Sequence, residues 1–362
     1  MTTFSSPAPT PGLSGLGWDD AWADQFSALA ADGMAPARLA RVHRGGCDLL
    51  GEAGPVRASF GSAVLGRLAE GTSDPCTGDW VAARSWPDGQ VTVEAVLDRR
   101  TTLARAAAAG HSRGQPLAAN VDAALVVVSL TADPDLGRVE RLLTLSWNGG
   151  VEPVVVLTKA DLVQDADVVA EEVAGAAPGV DVLVVSAVTE QGVDGLASHV
   201  WPGRTLALLG QSGVGKSTLV NVLAGSAVLA IGPNTQNGKG RHTTVVRELV
   251  LLPGGGVVVD TPGLRAVGLP DVSDGLERTF ADVETLAADC RFRDCAHEGE
   301  PGCAVLAAIE DGDLTERRLA SWRKLQREAE YVAARTDARR RAELRQRWKS
   351  VHKANRPPRN RP

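Results

Sequence analysis

The chain has 362 residues, with 38 Lys/Arg against 44 Asp/Glu and a formal charge of −6. That is room for two or three domains of roughly 100–200 residues. The sequence holds no apolar run of about 18 residues or more, which excludes a membrane-spanning helix. Scarce aromatics beside abundant Val, Leu and Ala suit an α/β protein with buried parallel strands. The start, MTTFSSPAPTPG, lacks the basic and apolar regions of a signal peptide. Five cysteines, three of them clustered, do not form a disulfide framework. The expected compartment is the cytoplasm. Charge is unevenly spread: from Glu316 onward 16 Lys/Arg face five Asp/Glu, so this end carries +11 and the remainder −17. An acidic body with a basic end suits an anionic partner.

Taken in order, residues 1–14 are Ser/Pro/Thr/Gly-rich and expected to be disordered. A short helix follows over Asp19–Ala31, with Trp18, Trp22 and Phe26 near one face, read as docking onto a neighbouring domain. Residues 1–36 are thus an N-terminal extension. Over 37–103, the runs ARLARVHR, CDLLGEAG, VRASFGSAV, DWVAARSW and QVTVEAVL alternate with GG, AGP, TGD and PDG turns. This rhythm predicts a five-stranded OB-type barrel. Such barrels bind oligonucleotides or serve as structural modules, and the pattern leaves both open.

After a linker over 104–115, strands alternate with helices: ALVVVSL, a helix near Leu136–Trp147, PVVVLT, a helix near Ala166–Ala176, DVLVVSA and TLALLG. Residues 116–272 are expected to form a doubly wound sheet with ligands at the carboxyl ends of its strands. One such end is GQSGVGKS, Gly210 to Ser217, which fits G-x-x-x-x-G-K-S/T between a strand and a helix. Backbone groups of Gly210, Gln211, Ser212, Gly213, Val214 and Gly215 can cradle phosphate oxygens. Lys216 adds a point charge, Ser217 a hydroxyl for Mg²⁺, and Thr218 opens the helix.

The base-reading candidate is Thr158-Lys159-Ala160-Asp161. A carboxylate at Asp161 can accept from guanine N1–H and its exocyclic amine, groups adenine lacks. Lys159 can lay its aliphatic stem on the base. Ser186 and Ala187, at the next strand end, suit contact to the guanine oxygen. On its own, TKAD is also compatible with an ordinary capped loop. In Asp260-Thr261-Pro262-Gly263, Asp260 can hold Mg²⁺ through water and Gly263 can sense the γ-phosphate. Thr243 and Thr244, in GKGRHTT, are switch-threonine candidates that close over Mg²⁺ or begin the next strand.

Motif order is informative, because TKAD and SA precede the phosphate loop instead of following it. The chain looks like a circularly permuted GTPase. With the barrel in front, LDRRTTLARAAA, AANVDAALVVVS, GQSGVGKSTLVN, GKGRHTT, DTPGL and CRFRDCAHEGEPGCAV together resemble the RsgA/YjeQ family of ribosome-assembly GTPases over about residues 37–330. The resemblance implies a bacterial enzyme that binds the maturing small ribosomal subunit and its rRNA. Its hydrolysis of GTP to GDP and phosphate, with Mg²⁺ as cofactor, is stimulated there and accompanies a late maturation check and release. Two departures stand out. Thr158 replaces the Asn of many GTPases, which would loosen that loop. Leu264 follows DTPG where Ras-like enzymes have a water-orienting Gln, so intrinsic turnover should be slow. In this family the switch histidine is the proposed substitute, which maps onto His242. That residue could instead contact rRNA or pack the switch.

Cys290, Cys295, His297 and Cys303 offer three thiolates and an imidazole within 14 residues, the ligand set of a closed tetrahedral Zn²⁺ site. The spacing is not that of a familiar finger, and buried free cysteines are the alternative. The family resemblance favours zinc, one structural ion per chain, in a helical domain over 273–362. Cys47 and Cys76 read as small core residues. The segment TERRLASWRKLQREAEYVAAR predicts a helix running into a basic end that neutralises phosphates. The expected assembly is a monomer with no membrane partner. Two other functions fit the motifs: a GTP-gated RNA-binding switch with incidental hydrolysis, and a P-loop ATPase acting on nucleic acid.

Overall fold

Short β-prone runs broken by glycine turns close on themselves. In a computed structural model, which describes residues 12–71, 74–106, 114–229, 247–253, 255–260 and 273–336, β1 (Met34–His43), β2 (Gly46–Gly51), β3 (Gly54–Phe60), β4 (Trp80–Ser85) and β5 (Val91–Val96) form a closed barrel in the order β1-β2-β3-β5-β4. Alternate side chains point inward, so Leu39, Cys47, Leu49, Val81 and Val93 fill the interior. Burial, with Asp48 nearby, pushes the Cys47 thiol up to about 12, as befits a core residue. Cys76 is buried as well.

Helix α1 (Asp20–Leu29) starts at Asp19, whose carboxylate accepts from the Trp22 N–H at 3.0 Å. Trp22 is buried and Trp18 meets Trp80 edge-on at 4.7 Å. The expected docking of this segment is therefore onto the barrel. Helix α2 (Ser62–Ala69) lies between β3 and β4. The sequence reading ran past it, because eight residues carry too little periodicity to separate a helix from a turn.

Strands β6 (Thr102–Arg105) and β7 (Gln115–Ala119) pair as a two-stranded sheet. The second large sheet combines β8 (Ala123–Ser129), β9 (Glu152–Thr158), β10 (Val182–Val185), β11 (Thr205–Leu209), β12 (Glu248–Leu251) and β13 (Val257–Asp260) in the order β10-β9-β8-β11-β13-β12. Among the described strands of this sheet only β12 runs antiparallel, paired with β13. Helices α3 (Leu136–Asn148), α4 (Ala166–Gly175), α5 (Val193–Ala197) and α6 (Lys216–Leu223) are interleaved with the strands. Leu125, Val127, Val156, Leu206, Leu208 and Val258 are almost fully buried, which explains the unbroken apolar runs.

Four helices end the described chain: α7 (Ser273–Thr279), α8 (Ala281–Ala288), α9 (Ala304–Asp311) and α10 (Glu316–Thr336). Arg318 of α10 is buried; it reaches Asp282 at 2.9 and 3.0 Å and the Thr279 carbonyl at 2.6 Å, and stacks over Phe280. The expected C-terminal helix is present, but its inner face belongs to a core rather than to solvent. Two compact units result, Met1–Ala104 with Pro116–Val267, and Arg105–Gln115 with Gly268–Pro362. Among the described residues no helix is long and apolar enough to cross a membrane.

Candidate nucleotide site and cysteine cluster

The phosphate loop leaves β11 and enters α6. Gly210 has φ +150°, and a Cβ there would sit 2.4 Å from the Val127 carbonyl oxygen, so only glycine fits. Gly215, with φ +104°, is the N-cap of α6 and packs beside Thr158. Gln211, Ser212 and Gly213 face solvent, whereas Val214, Ser217 and Thr218 are half-buried. Lys216 is only 7% exposed. Its Nζ donates to the Gly210 carbonyl at 3.0 Å and the Gln211 carbonyl at 2.6 Å. Burial lowers its pKa and nearby Asp260 partly restores it. Burial likewise raises Asp260, against the opposing pull of Lys216. A buried cation beside a glycine-rich loop that runs into a helix N-terminus makes a cradle for a polyanion.

The base-reading candidates are strapped to that loop. The Thr158 hydroxyl lies 2.6 Å from the Val214 carbonyl and 3.2 Å from that of Val128. Lys159, in left-handed conformation at φ 64°, donates from Nζ to the Gly213 carbonyl at 3.0 Å. Where the sequence leads one to expect a loosened loop, the Thr158 hydroxyl supplies a tie to the phosphate loop. Ser186, fully buried at the end of β10, donates to Asp161 Oδ1 at 2.6 Å. Its Oγ in turn accepts N–H groups of Val188 and Thr189 at 3.2 Å each. Asp161 is exposed and Ala187 half-buried. A fixed, solvent-facing carboxylate is what guanine readout requires, because its two acceptor oxygens need no rearrangement before binding.

The second cluster lies in the helical unit. Cys290 Sγ is 3.9 Å from Cys303 Sγ and 3.6 Å from His297 Nδ1, which is 3.4 Å from Cys303 Sγ. With Cys295, all four ligand atoms lie within 4.8 Å of one another. Tetrahedral zinc with bonds near 2.3 Å has ligand–ligand edges of about 3.8 Å, so the donor set fits that ion. All five cysteines are free thiols. Burial raises the Cys290 thiol, but the Val305 and Ala304 N–H groups at the start of α9 bring it below its usual value. Burial and Arg323 lower His297, favouring the neutral imidazole that binds metals. Trp322 flanks the ring at 5.6 Å, and Arg323 Nη2 holds the His297 carbonyl at 2.6 Å.

A family model, RsgA GTPase, matches residues 96–270. The small ribosomal subunit biogenesis GTPase RsgA of Streptomyces coelicolor is 51% identical over 358 residues, covering 96% of this chain and 95% of that protein. The chain belongs to the RsgA GTPase family. Among solved structures, YjeQ from Thermotoga maritima superposes with a TM-score of 0.60 at 24% identity, covering 82% of this chain and 98% of that one. YloQ, described as a circularly permuted GTPase, gives 0.56 at 24% identity, with 83% and 96% covered. At that identity the two speak for the fold.

In this RsgA-family chain the permutation is visible in the sheet. Thr158, Val185, Leu209 and Asp260 end β9, β10, β11 and β13, all parallel, so their loops emerge along one edge. The sheet thus brings together Thr158, Lys159, Asp161, Ser186, the phosphate loop and Asp260. His242, Thr243, Thr244, Gly263 and Leu264 lie outside the described residues, as do segments 1–11 and 337–362. The sequence reading missed the carbonyls of Val214, Gly213 and Val128 as tether points, and the Ser186 hydroxyl as the holder of Asp161. Their only signal is the neighbouring of strand ends, which spacing alone does not reveal.

Proposed function

We propose that this chain hydrolyses GTP to GDP and phosphate during biogenesis of the small ribosomal subunit, bound to the subunit and its rRNA. The observation that carries this reading is the tie between base-reading and phosphate loops, Thr158 Oγ1 to the Val214 carbonyl at 2.6 Å. It joins a buried cationic cradle to a fixed carboxylate, so base identity and phosphate binding are read by one connected element. Asp161 accepts from guanine, the Lys159 stem lies along the base, and Ser186 and Ala187 complete the base pocket. Residues Gly210 to Thr218 hold the phosphates, with Lys216 countering charge that develops on them.

Ser217 and Asp260 would hold Mg²⁺, which supplies charge neutralisation between the phosphates. Thr243, Thr244 and Gly263 are assigned to γ-phosphate sensing. His242 is assigned to water activation, because Leu264 carries no polar atom to do it. Cys290, Cys295, His297 and Cys303 are assigned to one structural Zn²⁺, a closed set with no open ligand position. On this reading residues 37–103 form the rRNA-facing barrel, 116–272 the GTPase domain and 273–362 the zinc domain of a cytoplasmic monomer.

The test is GTP turnover with and without purified small subunits, for the wild type and His242→Ala. Stimulation by subunits that His242→Ala abolishes supports both assignments. A wild type that subunits leave unstimulated would point instead to a GTP-gated RNA-binding switch. ATP competing equally with GTP for the site would sink guanine specificity.

A further inference from the structure

The two loops assigned to γ-phosphate sensing attach to one hairpin. Arg247 leads into β12 directly after the segment holding His242, Thr243 and Thr244, and Asp260 ends β13 just before Gly263. Because β12 and β13 are antiparallel with Glu248 opposite Asp260, both attachments lie at the same open end. That end is held through the hairpin's two faces.

Side chains alternate between faces along a strand, and here the faces join different cores. Val250, Leu252 and Val258 pack with Leu208 and Leu219 in the nucleotide domain. Leu249 and Val257 instead share a cluster with Trp80 of the barrel and with Leu16 and Trp22 of the N-terminal extension. Strand β1 also packs against β12. The hairpin is thus a middle layer, with the barrel as its second wall.

A polar contact reinforces this at the open end. The barrel turn over residues 76–79 is rigidly tied: the Gly78 N–H donates to the Leu39 carbonyl and the Leu39 N–H to that of Asp79, both at 2.8 Å. Arg99 pairs with Asp79 at 2.6 Å. From this turn the Thr77 hydroxyl donates to the Arg247 carbonyl at 3.4 Å, at the point where the switch segment becomes β12. The Ala119 N–H donates to the Thr77 carbonyl at 3.0 Å, so the same turn also anchors the entry into the nucleotide domain.

We propose that Leu249 and Thr77 are positioning residues for hydrolysis, through which the barrel fixes the open end of the β12–β13 hairpin. The inference rests on the GTP-hydrolysing reading above. It makes hydrolysis depend on the barrel contact more than GDP affinity does, because the phosphate and base loops leave β9, β10 and β11, whereas this hairpin carries only Asp260 and the γ-phosphate loops. Whatever engages the barrel would thereby reach the hydrolytic loops.

Turnover and GDP affinity of the full chain test this. In Leu249→Ala, kcat should fall about fivefold or more, with and without subunits, while the GDP dissociation constant stays within about twofold. Leu249→Met, which keeps the volume, should restore kcat to within about twofold of wild type. Thr77→Val should lower kcat by roughly threefold with unchanged GDP affinity. If Leu249→Ala does not fold by circular dichroism, Leu249→Val carries the same comparison. A folded variant with wild-type kcat overturns the inference, as does a parallel loss of kcat and GDP affinity. A second arm needs no turnover: amide exchange over residues 37–42 and 76–80 should differ between GDP and a non-hydrolysable GTP analogue, and identical exchange refutes the link. If the wild type fails to hydrolyse GTP, the functional reading falls, and the exchange arm still judges the contact.

Discussion

Replacing Thr158 by valine isolates the tie between the two loops. Valine keeps the shape of a side chain that is 3% exposed and removes only the hydroxyl. The Val214 carbonyl then loses its 2.6 Å donor. Val214 is half-buried in a loop whose preceding residues face solvent, so in the free protein the loop can relax and water can replace the hydroxyl. Bound nucleotide would hold the loop in the tied geometry and remove that escape. The penalty for an unsatisfied acceptor, about 1–3 kcal/mol, therefore falls mainly on the bound state. At about 1.4 kcal/mol per tenfold, the GDP dissociation constant should rise roughly 5- to 150-fold. Thr158→Ser keeps the donor and should remain within about threefold of wild type. The assay is titration with a fluorescent GDP analogue, beside melting of the nucleotide-free protein. A valine variant that binds GDP as wild type does, with an unchanged melting temperature, would falsify the argument.

Three further outcomes are expected. Purified protein should carry about one zinc per chain, and chelation should lower the melting temperature of the helical unit, since closed sites of this kind contribute to folding; metal-free protein with the same melting curve would refute a structural ion. Arg38 is 1% exposed and donates to the carbonyls of Leu16, Gly78 (3.3 Å) and Asn120 (2.9 Å), while burial lowers its pKa to about 10. Arg38→Met strands those acceptors and should cost about 3–5 kcal/mol in urea unfolding; a cost under about 1 kcal/mol would contradict the network reading. Glu300 is held at about 2 by its own backbone N–H and by those of Ala296, Glu298 and Gly299. Its folded pKa lies below the ordinary 4.5, so its stabilising contribution is full above that pH and is lost as pH falls toward 2. Glu300→Gln should flatten the acid dependence of melting across that window, and superimposable wild-type and variant profiles would dismiss the effect.

Contiguous chemistry was legible from residues alone. The phosphate loop needs eight consecutive residues, and the cysteine cluster lies within 14, so local spacing is enough to suggest each. Turn chemistry at GG, AGP, TGD and PDG marked the barrel strands, because glycine and proline punctuate the chain wherever they fall. Motif order exposed the permutation, since order survives in a linear string. Helix α2 escaped because its eight residues are too few for a helical period to show.

The sequence by itself determined which groups carry the chemistry: a lysine in a glycine cradle, a carboxylate after a strand, three thiols with an imidazole. Tertiary structure decided what holds them. Thr158 meets Val214 across 56 positions, Ser186 meets Asp161 across 25, and Arg38 reaches partners 22, 40 and 82 residues away. Such pairings follow from strand order in a sheet, β9 and β11 flanking β8 and β10 beside β9. Strand order is set by the packing of whole faces, and no local period encodes it. The hairpin between two cores is the same case: Leu249 and Val250 are adjacent aliphatic residues on paper, and only the fold assigns one to the barrel and the other to the nucleotide domain.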